Sequence, residues 1–384
     1  MSAKKLVNLT RNLIKAHQPL LVPVYKTDGT LLAQKGIVLT DEQVAKLDEH
    51  EQLLTLGKEL ASLYGDNKGR LAKDDGGAVY QWRSPFDRLI EIRNELVAIY
   101  ASPTLEGNAE HVRTLVSRIN TVCSEAPDAA LATIIIDEYE YYTAQHSVHV
   151  AVLCELTAAY LQWDDDSRRA LVAAALTMNI SVADFQDRAQ SQATPLSDEQ
   201  RKTIASHPEA SVQILKQMGV DDHRWLDYVF KHHESVDGTG YPQGLMGEEV
   251  PLGASLLHLA DVYCAKVSSA RTYRKPQFPT VAARDIFLGK DRRAKGSTIE
   301  IVVKILGLYP PGCQVQLANG EVGVVIRRGN RVDAPVVRII VDPKGNRVKT
   351  KVVRNTNTAP FAVKEIIQPN VVKRDPQYQS WWGY

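Results

Sequence analysis

The sequence predicts a mainly helical protein with a small α/β element at its N-terminus and a small β-rich module at its C-terminus. Apolar residues keep a helical spacing for about two hundred residues after Ser84-Pro85, a serine and proline pair typical of a helix start. After about residue 305 the apolar pattern alternates instead, as it does in strands. Near the start, two apolar runs flank an Asp-Gly turn.

Residues 1–64 form the predicted N-terminal element. The Asp-Gly pair within residues 26–30 supplies the positive-φ residues of a tight hairpin. The stretch LTDEQVAKLDEHEQLLTLGKELASLYG follows, and Thr40 as N-cap, early acids and spaced leucines predict one helix through it. Residues 65–80 carry glycine and mixed charge without periodicity, which predicts a linker.

The predicted helical domain covers residues 81–305, and a β-rich module with an aromatic tail covers residues 306–384. In the helical domain a Ser197-x-x-Gln200 capping box begins one helix, and His207-Pro208 is predicted to end it and open another. In the module, Asn-Gly and Lys-Gly-Asn turns join short alternating runs. The tail RDPQYQSWWGY is expected to fold back on the protein, with a contact to another protein as the alternative.

Composition and charge argue against several classes of function. The 384 residues carry 46 basic and 45 acidic side chains, so the net charge of +1 does not favour nucleic acid or an anionic membrane as the main partner. Four separated cysteines without a C-x-x-C pair fit a reducing cytoplasm. The N-terminus lacks the apolar core of a signal peptide, and no window approaches the roughly 18 apolar residues of a membrane span. We therefore expect a cytoplasmic protein.

A set of histidines between residues 140 and 265 predicts a metal site. Each lies within or at the end of a predicted helix, so a helical bundle could bring them together. Neutral imidazole and carboxylate suit Fe, Mn, Zn and similar ions. Two adjacent histidines at a helix terminus also cost helix propensity that simple packing would not require. The candidate metal ligands are His146, His207, His232, His233 and Asp261.

Two features predict a phosphate-containing ligand. The stretch KHHESVDGTGYPQG has glycines whose backbone N–H groups could approach a phosphate, followed by an aromatic ring and a proline. Downstream, SSARTYRKP supplies guanidinium groups that suit phosphodiester oxygens. His149 and His258 share helix faces with candidate ligands and are interpreted as structural. The candidate nucleotide-binding residues are Asp237, Gly238, Gly240, Tyr241, Pro242, Arg271 and Arg274.

The string HHESVDGTGYPQGLMGEEVPLGASLLHLADVY resembles the signature of the HD-GYP family, a branch of the HD superfamily. The similarity continues through YTAQHSVHVA, PLSDEQRKTIASHPEASVQIL and YPPGCQVQLANGEVGVV over roughly residues 130–330, with the signature region at 130–280. The resemblance implies an HD-type helical bundle that hydrolyses the bacterial second messenger cyclic di-GMP at a site of two or three metal ions. It also implies that His207, His232 and His233 bind one ion while His146 and Asp261 face another.

The sequence departs from the family at its eponymous motif. Family members carry an adjacent His-Asp followed within a few residues by Gly-Lys, and this chain reads ALTMNISVADF. Met178 and Asn179 occupy the His-Asp positions, and Val182 occupies the lysine position. In the family the aspartate bridges two metals and the lysine is associated with the substrate phosphate. Because an amide offers one neutral oxygen where a carboxylate offers two anionic ones, we expect at most one divalent ion, Fe, Mn or similar.

Three functions remain open on the sequence. The favoured one is a bacterial signalling protein that senses cyclic di-GMP or binds a protein partner, with reduced or absent phosphodiesterase activity. The alternative is an active phosphodiesterase with a mononuclear or rebuilt metal site held by His207, His232 and His233. A purely protein-binding scaffold is the third. The acids nearest the altered motif, Asp184 and Asp187, lie one to two helical turns later, and their direction decides whether the site is rebuilt.

Overall fold

The computed structural model describes residues 6–8, 14, 20, 22–48, 54–56, 84–102, 107–137, 141–190, 192, 194–268, 276–287, 296–367 and 378–383. The chain divides into two compact units. One comprises Met1–Trp82 and Arg93–Leu105, and the other comprises Arg83–Ile92 and Glu106–Tyr384. The predicted linker at residues 65–80 lies outside the described residues, as do Arg271 and Arg274.

The N-terminal unit contains a four-stranded antiparallel sheet. Its strands follow the order β1-β4-β2-β3. The predicted hairpin is confirmed between β2 and β3, where Gly29 has a φ of 85° and the carboxylate of Asp28 accepts the N–H of Thr30 at 2.8 Å. The strands are β1 (Leu6–Asn8), β2 (Val24–Tyr25), β3 (Leu31–Ala33) and β4 (Leu54–Leu56).

The helix predicted after Thr40 is shorter than the sequence pattern suggests. It covers Asp41–Asp48 (α1), and Thr40 and Gln43 cap its start through reciprocal hydrogen bonds of 3.3 and 2.9 Å. The prediction that it continues through residue 64 was wrong at Leu54–Leu56, which form β4. Strand β4 lies between β1 and β2, and pairing on both sides of its backbone outweighs the intrinsic preference of leucine for a helix.

Helices dominate the rest of the chain. Helix α5 is central, because every residue from Tyr142 to Ala158 is buried, as expected for a helix that is apolar on most sides. It packs mainly against α6 and α10. The helices are α2 (Pro85–Tyr100), α3 (Asn108–Glu125), α4 (Pro127–Ile136), α5 (Tyr142–Tyr160), α6 (Asp165–Thr177), α7 (Ala183–Ala189), α8 (Asp198–Gln217), α9 (His223–Lys231), α10 (Leu252–Val267), α11 (Pro279–Phe287) and α12 (Gly296–Leu306). No helix in these described ranges combines the length and apolarity needed to cross a membrane.

Helix α8 confirms one prediction and corrects another. The capping box is present: the N–H of Gln200 donates to Ser197 Oγ at 3.2 Å, and the N–H of Ser197 donates to Gln200 Oε1 at 2.9 Å. The helix does not end at His207, however, and continues through Pro208 to Gln217. Proline removes one hydrogen bond, to the carbonyl of Ile204, and the side chain of His207 occupies that carbonyl instead.

A five-stranded antiparallel sheet forms the C-terminal module, in the order β8-β7-β6-β5-β9. The aromatic tail folds back as predicted: Phe86 meets Tyr378 and Trp382 edge-on, each at 5.3 Å, and Trp381 is buried. The mainly helical class with its two small flanking elements is confirmed, while the boundaries at residues 64, 80 and 305 stay predictions. The strands are β5 (Gln314–Leu317), β6 (Val322–Arg327), β7 (Val336–Val341), β8 (Val353–Asn355) and β9 (Val363–Ile367).

Candidate metal and ligand site

A cavity of about 830 Å³ is lined by residues of helices α5, α7, α8 and α10 and of the segments beside them. This is where most of the predicted metal ligands meet, although they are far apart in sequence. The central helix α5 and its neighbour α10 contribute from the buried side, and α8 contributes the histidine that precedes Pro208. The predicted residues on the cavity wall are His146, Asn179, His207, His233 and Asp261.

Three histidines, His207, His232 and His233, form a compact group that we call the histidine cluster. Their candidate ligand nitrogens all lie within 4.8 Å of one another. The ring centroids are 5.0, 5.0 and 4.1 Å apart, and His232 is fully buried. Three imidazoles at this spacing suit a single divalent ion with open coordination positions.

Backbone carbonyls determine which nitrogen two of these rings present to the cluster. Nδ1 of His207 donates at 2.5 Å to the carbonyl of Ile204, which Pro208 leaves without a helical donor. Nδ1 of His232 donates at 2.6 Å to the carbonyl of Val229 in the last turn of α9, where helical donors have run out. A neutral imidazole has one N–H, so Nε2 of each ring carries a lone pair.

These two Nε2 atoms face each other at 3.1 Å. Burial lowers the pKa of His207, lowers the pKa of His232 to about 3 and holds the pKa of His233 well below its usual value, so protonation is disfavoured. Two lone pairs at this distance repel each other unless a cation lies beside both. The histidine cluster therefore fits a divalent ion, which would act as a Lewis acid when bound.

His146 and Asp261 are arranged differently. Nε2 of His146 donates to Oδ1 of Asp261 at 2.7 Å, and Nδ1 of His146 is buried without a hydrogen-bond partner. Burial alone would raise the pKa of Asp261, but the hydrogen bond from His146 and the nearby imidazoles hold that pKa well below its usual range. The two predicted ligands of a second ion are thus bonded to each other.

Asn179 stands where the resemblance places the bridging aspartate. It is buried on the cavity wall, and its Oδ1 accepts a hydrogen bond from Nε2 of Gln186 at 3.3 Å. Met178 and Val182 are buried in the core and do not belong to the described wall of the cavity. The oxygen available at this position is therefore neutral and already accepts one hydrogen bond.

The two acids nearest in sequence do not supply the missing charge. Asp187 accepts the backbone N–H and the hydroxyl of Thr143, each at 2.8 Å, and so caps the start of α5. Burial raises the pKa of Asp187. Asp184 is exposed and pairs with Arg188 at 2.9 Å. Within the described ranges, Asp261 is the one acidic residue on the cavity wall.

The glycine-rich loop supports the histidine cluster. The ring of Tyr241 stacks on His233, with centroids 4.7 Å apart and planes inclined by 23°. One oxygen of Asp237 accepts the hydroxyls of Ser235 and Thr239, both at 2.6 Å, and these hydrogen bonds lower the pKa of Asp237 to about 2. The described cavity wall does not include the predicted nucleotide-binding residues Asp237, Gly238, Gly240, Tyr241 and Pro242.

Glu234, which the sequence reasoning did not select, holds this loop in place. It is fully buried, and its two oxygens accept the backbone N–H groups of Gln243 at 2.6 Å and Leu245 at 2.9 Å. Gly240 passes so close to Ser235 that a Cβ would lie 2.3 Å from the Ser235 nitrogen. The sequence did offer one signal, an acidic residue directly after the histidine pair. A buried acid needs hydrogen-bond donors, and the backbone N–H groups of the loop are the nearest ones.

The two histidines interpreted as structural have different surroundings. His149 is buried in a network with Gln145 and Asp137, at 2.8 and 3.3 Å. His258 lines the cavity, and its Nδ1 donates to the carbonyl of His232 at 2.8 Å. His258 therefore borders the histidine cluster, whereas the sequence reasoning had assigned it only a structural role.

Residues 129–295 match the HD domain family. The chain is similar to cyclic di-GMP phosphodiesterase PA4108 of Pseudomonas aeruginosa, with 29% identity over 221 residues that cover 58% of this chain and 53% of that protein. It is also similar to 3'3'-cGAMP-specific phosphodiesterase 3 of Vibrio cholerae, with 32% identity over 140 residues that cover 36% of this chain and 30% of that protein. The chain spans about half the length of the first of these relatives and about a third of the second.

A solved structure has the same architecture. Bd1817, a HDG"Y"P protein from Bdellovibrio bacteriovorus, aligns with a TM-score of 0.51 and 16% sequence identity, covering 79% of this chain and 99% of that one. At this identity the likeness concerns the fold, and it confirms the expected HD-type helical bundle. The HD domain match over residues 129–295 and the similarity to the phosphodiesterases support a place for this part of the chain in the HD-GYP family.

Proposed function

We propose that this protein acts in bacterial cyclic di-GMP signalling as a degenerate HD-GYP domain, which binds the nucleotide beside one divalent ion and hydrolyses it slowly or not at all. Relatives of this chain are named as phosphodiesterases of cyclic di-GMP and of 3'3'-cGAMP. The cavity of about 830 Å³, with histidines, amides and basic residues on its wall, falls in the size range of ligand sites and suits an anionic ligand.

The observation that carries the proposal is the state of Asn179. Its neutral amide oxygen, bonded to Gln186, occupies the position of the carboxylate that would join two ions. Two-metal hydrolysis holds its ions about 3.5–4 Å apart to activate water and to stabilise the leaving oxygen. With Asp184 and Asp187 engaged elsewhere, the histidine cluster is left to hold one ion, Fe, Mn or a similar metal.

An active mononuclear phosphodiesterase is the second candidate. The Nε2 lone pairs of His207 and His232, which face each other, favour this candidate because they suit a shared ion. An ion held by three imidazoles keeps coordination positions open for substrate and water. Recognition of the nucleotide by the glycine-rich loop and by Arg271 and Arg274 stays a prediction, since the loop packs on His233 and the arginines lie outside the described residues.

Calorimetry and product analysis on the same manganese-loaded protein separate these candidates. We expect cyclic di-GMP to bind, with little linear dinucleotide or mononucleotide formed. The variant His232→Ala removes a buried ligand of the cluster and is expected to lose the ion, while His223→Ala, at an exposed position on α9, is the matched control.

Turnover that His232→Ala abolishes and His223→Ala preserves would establish the mononuclear enzyme instead. Absence of any cyclic di-GMP binding would reject both candidates and leave the protein-binding scaffold. Elemental analysis of anaerobically purified protein gives the ion count directly, and two ions per chain would contradict the role assigned to Asn179.

A further inference from the structure

We infer that Lys266 is a ligand-binding residue that neutralises a phosphate of the bound nucleotide, an inference that rests on the proposed function. Lys266 and Arg201 are the lysine and arginine on the described cavity wall. The acid on that wall, Asp261, is already bonded to His146 at 2.7 Å. The wall therefore carries more positive than negative charge, as a site for a phosphodiester anion requires.

Lys266 shares its helix face with residues of the metal region. His258, Asp261, Val262, Ala265 and Lys266 all line the cavity, and their spacing of three, one, three and one residues describes a single face of α10. At 1.5 Å per residue, Lys266 lies about 7.5 Å along the helix axis from Asp261. The two residues therefore line the same cavity wall about one and a half helical turns apart.

The end of α10 that carries Lys266 is held in place. Its carbonyl accepts the backbone N–H of Gln277 at 2.9 Å, which ties the last turn of the helix to the segment before α11. The side chain is half-buried. A charge in such a position interacts more strongly with a ligand than one in open water, because the effective dielectric constant is lower.

Arg201 is less suited to this role. Its side chain is 62% exposed on the surface of α8. Exposed charges are screened by salt and gain little from a single contact. Val182 is buried and apolar, so the start of α7 provides no cation either. Lys266 is thus the cation on the described wall best placed to pair with a phosphate. A lysine ammonium binds phosphate as a compact point charge.

Calorimetric titration of cyclic di-GMP into manganese-loaded variants tests the inference. Lys266→Gln is expected to weaken binding by about tenfold to a hundredfold, the range for a lost charge-assisted hydrogen bond. Its dissociation constant should also depend less steeply on salt. The dissociation constant of Lys266→Arg should stay within a few-fold of that of the unaltered protein. Lys216→Gln, an exposed lysine on α8 outside this cavity wall, makes the same charge change and should leave the affinity unchanged.

Equal affinities for Lys266→Gln and Lys216→Gln would overturn the inference and leave the proposed function standing. If the unaltered protein does not bind cyclic di-GMP, the proposed function fails. Thermal unfolding with inorganic phosphate as the ligand then tests the role of Lys266. A phosphate-induced rise in melting temperature that is smaller for Lys266→Gln than for Lys216→Gln would support it. No stabilisation, or equal stabilisation, would overturn it.

Discussion

The histidine cluster and the region around His146, Asn179 and Asp261 line one cavity but have different chemistry. In the histidine cluster, two lone pairs face each other at 3.1 Å. In the second region, Asp261 accepts a hydrogen bond from His146, and Asn179 accepts one from Gln186. The difference teaches that side chains lining one cavity can be left open to an ion on one side and be occupied by each other on the other side.

Restoring the carboxylate should give the largest effect. In Asn179→Asp the side chain keeps its size and gains a charge that can join two ions. We expect the metal content to rise from about one toward two ions per chain, and hydrolysis of cyclic di-GMP to become faster on the order of a hundredfold, because a second ion contributes several kcal/mol. Elemental analysis and product chromatography measure both quantities.

Asn179→Ala is the control, because it removes the amide without adding charge, and it should stay at one ion. If Asn179→Asp also stays at one ion with unchanged turnover, position 179 is not what separates the two regions.

Disturbing the support of the histidine cluster should have an intermediate effect. In Gly240→Ala the new Cβ would lie 2.3 Å from the backbone nitrogen of Ser235, so the loop must move and the stacking of Tyr241 on His233 is lost. We expect manganese affinity to fall about tenfold, as for other groups that orient metal ligands. The free energy of unfolding should fall by about 1–3 kcal/mol, as measured by urea denaturation.

Gly247→Ala lies further along the same loop, where open space surrounds the position and only the φ of 55° is unfavourable. It should lose about 1 kcal/mol of stability and keep its manganese affinity. Equal losses of affinity in the two variants would show that the loop does not orient His233.

The smallest effect is expected at Asp187. Asp187→Asn keeps an oxygen that can accept from Thr143, so the metal content should not change, whereas Asp187→Ala should cost about 1 kcal/mol through loss of the cap on α5. Metal analysis and thermal unfolding of both variants check this. A drop in metal content with Asp187→Asn would make Asp187 a ligand and would remove the contrast between the two regions.

Local chemistry made part of this structure predictable. The Asp-Gly turn at Gly29 and the capping box at Ser197 need only neighbouring residues, and both are present. Leu54–Leu56 was assigned to a helix because its strand partners are distant in sequence, and such pairing is invisible to periodicity. The directions of Asp184 and Asp187 likewise depend on how α7 packs on α5.

The candidate site shows the same limit. Histidines on separate helices indicated a shared metal site, because imidazole chemistry restricts what such residues can do. The glycines of the loop were predicted to allow close approach of a ligand. Gly240 does allow a close approach, but to the backbone of its own loop at Ser235. A glycine in a sequence indicates that another group can approach the backbone closely. The sequence alone does not show which group that is.

Pro208 supports the histidine cluster although it has no atom that could bind a metal. By withholding a backbone hydrogen it leaves the carbonyl of Ile204 to the adjacent imidazole, and that bond keeps the ring of His207 from turning over. Any other amino acid at position 208 would return the carbonyl of Ile204 to the helical ladder, and the ring of His207 would then be free to adopt either orientation.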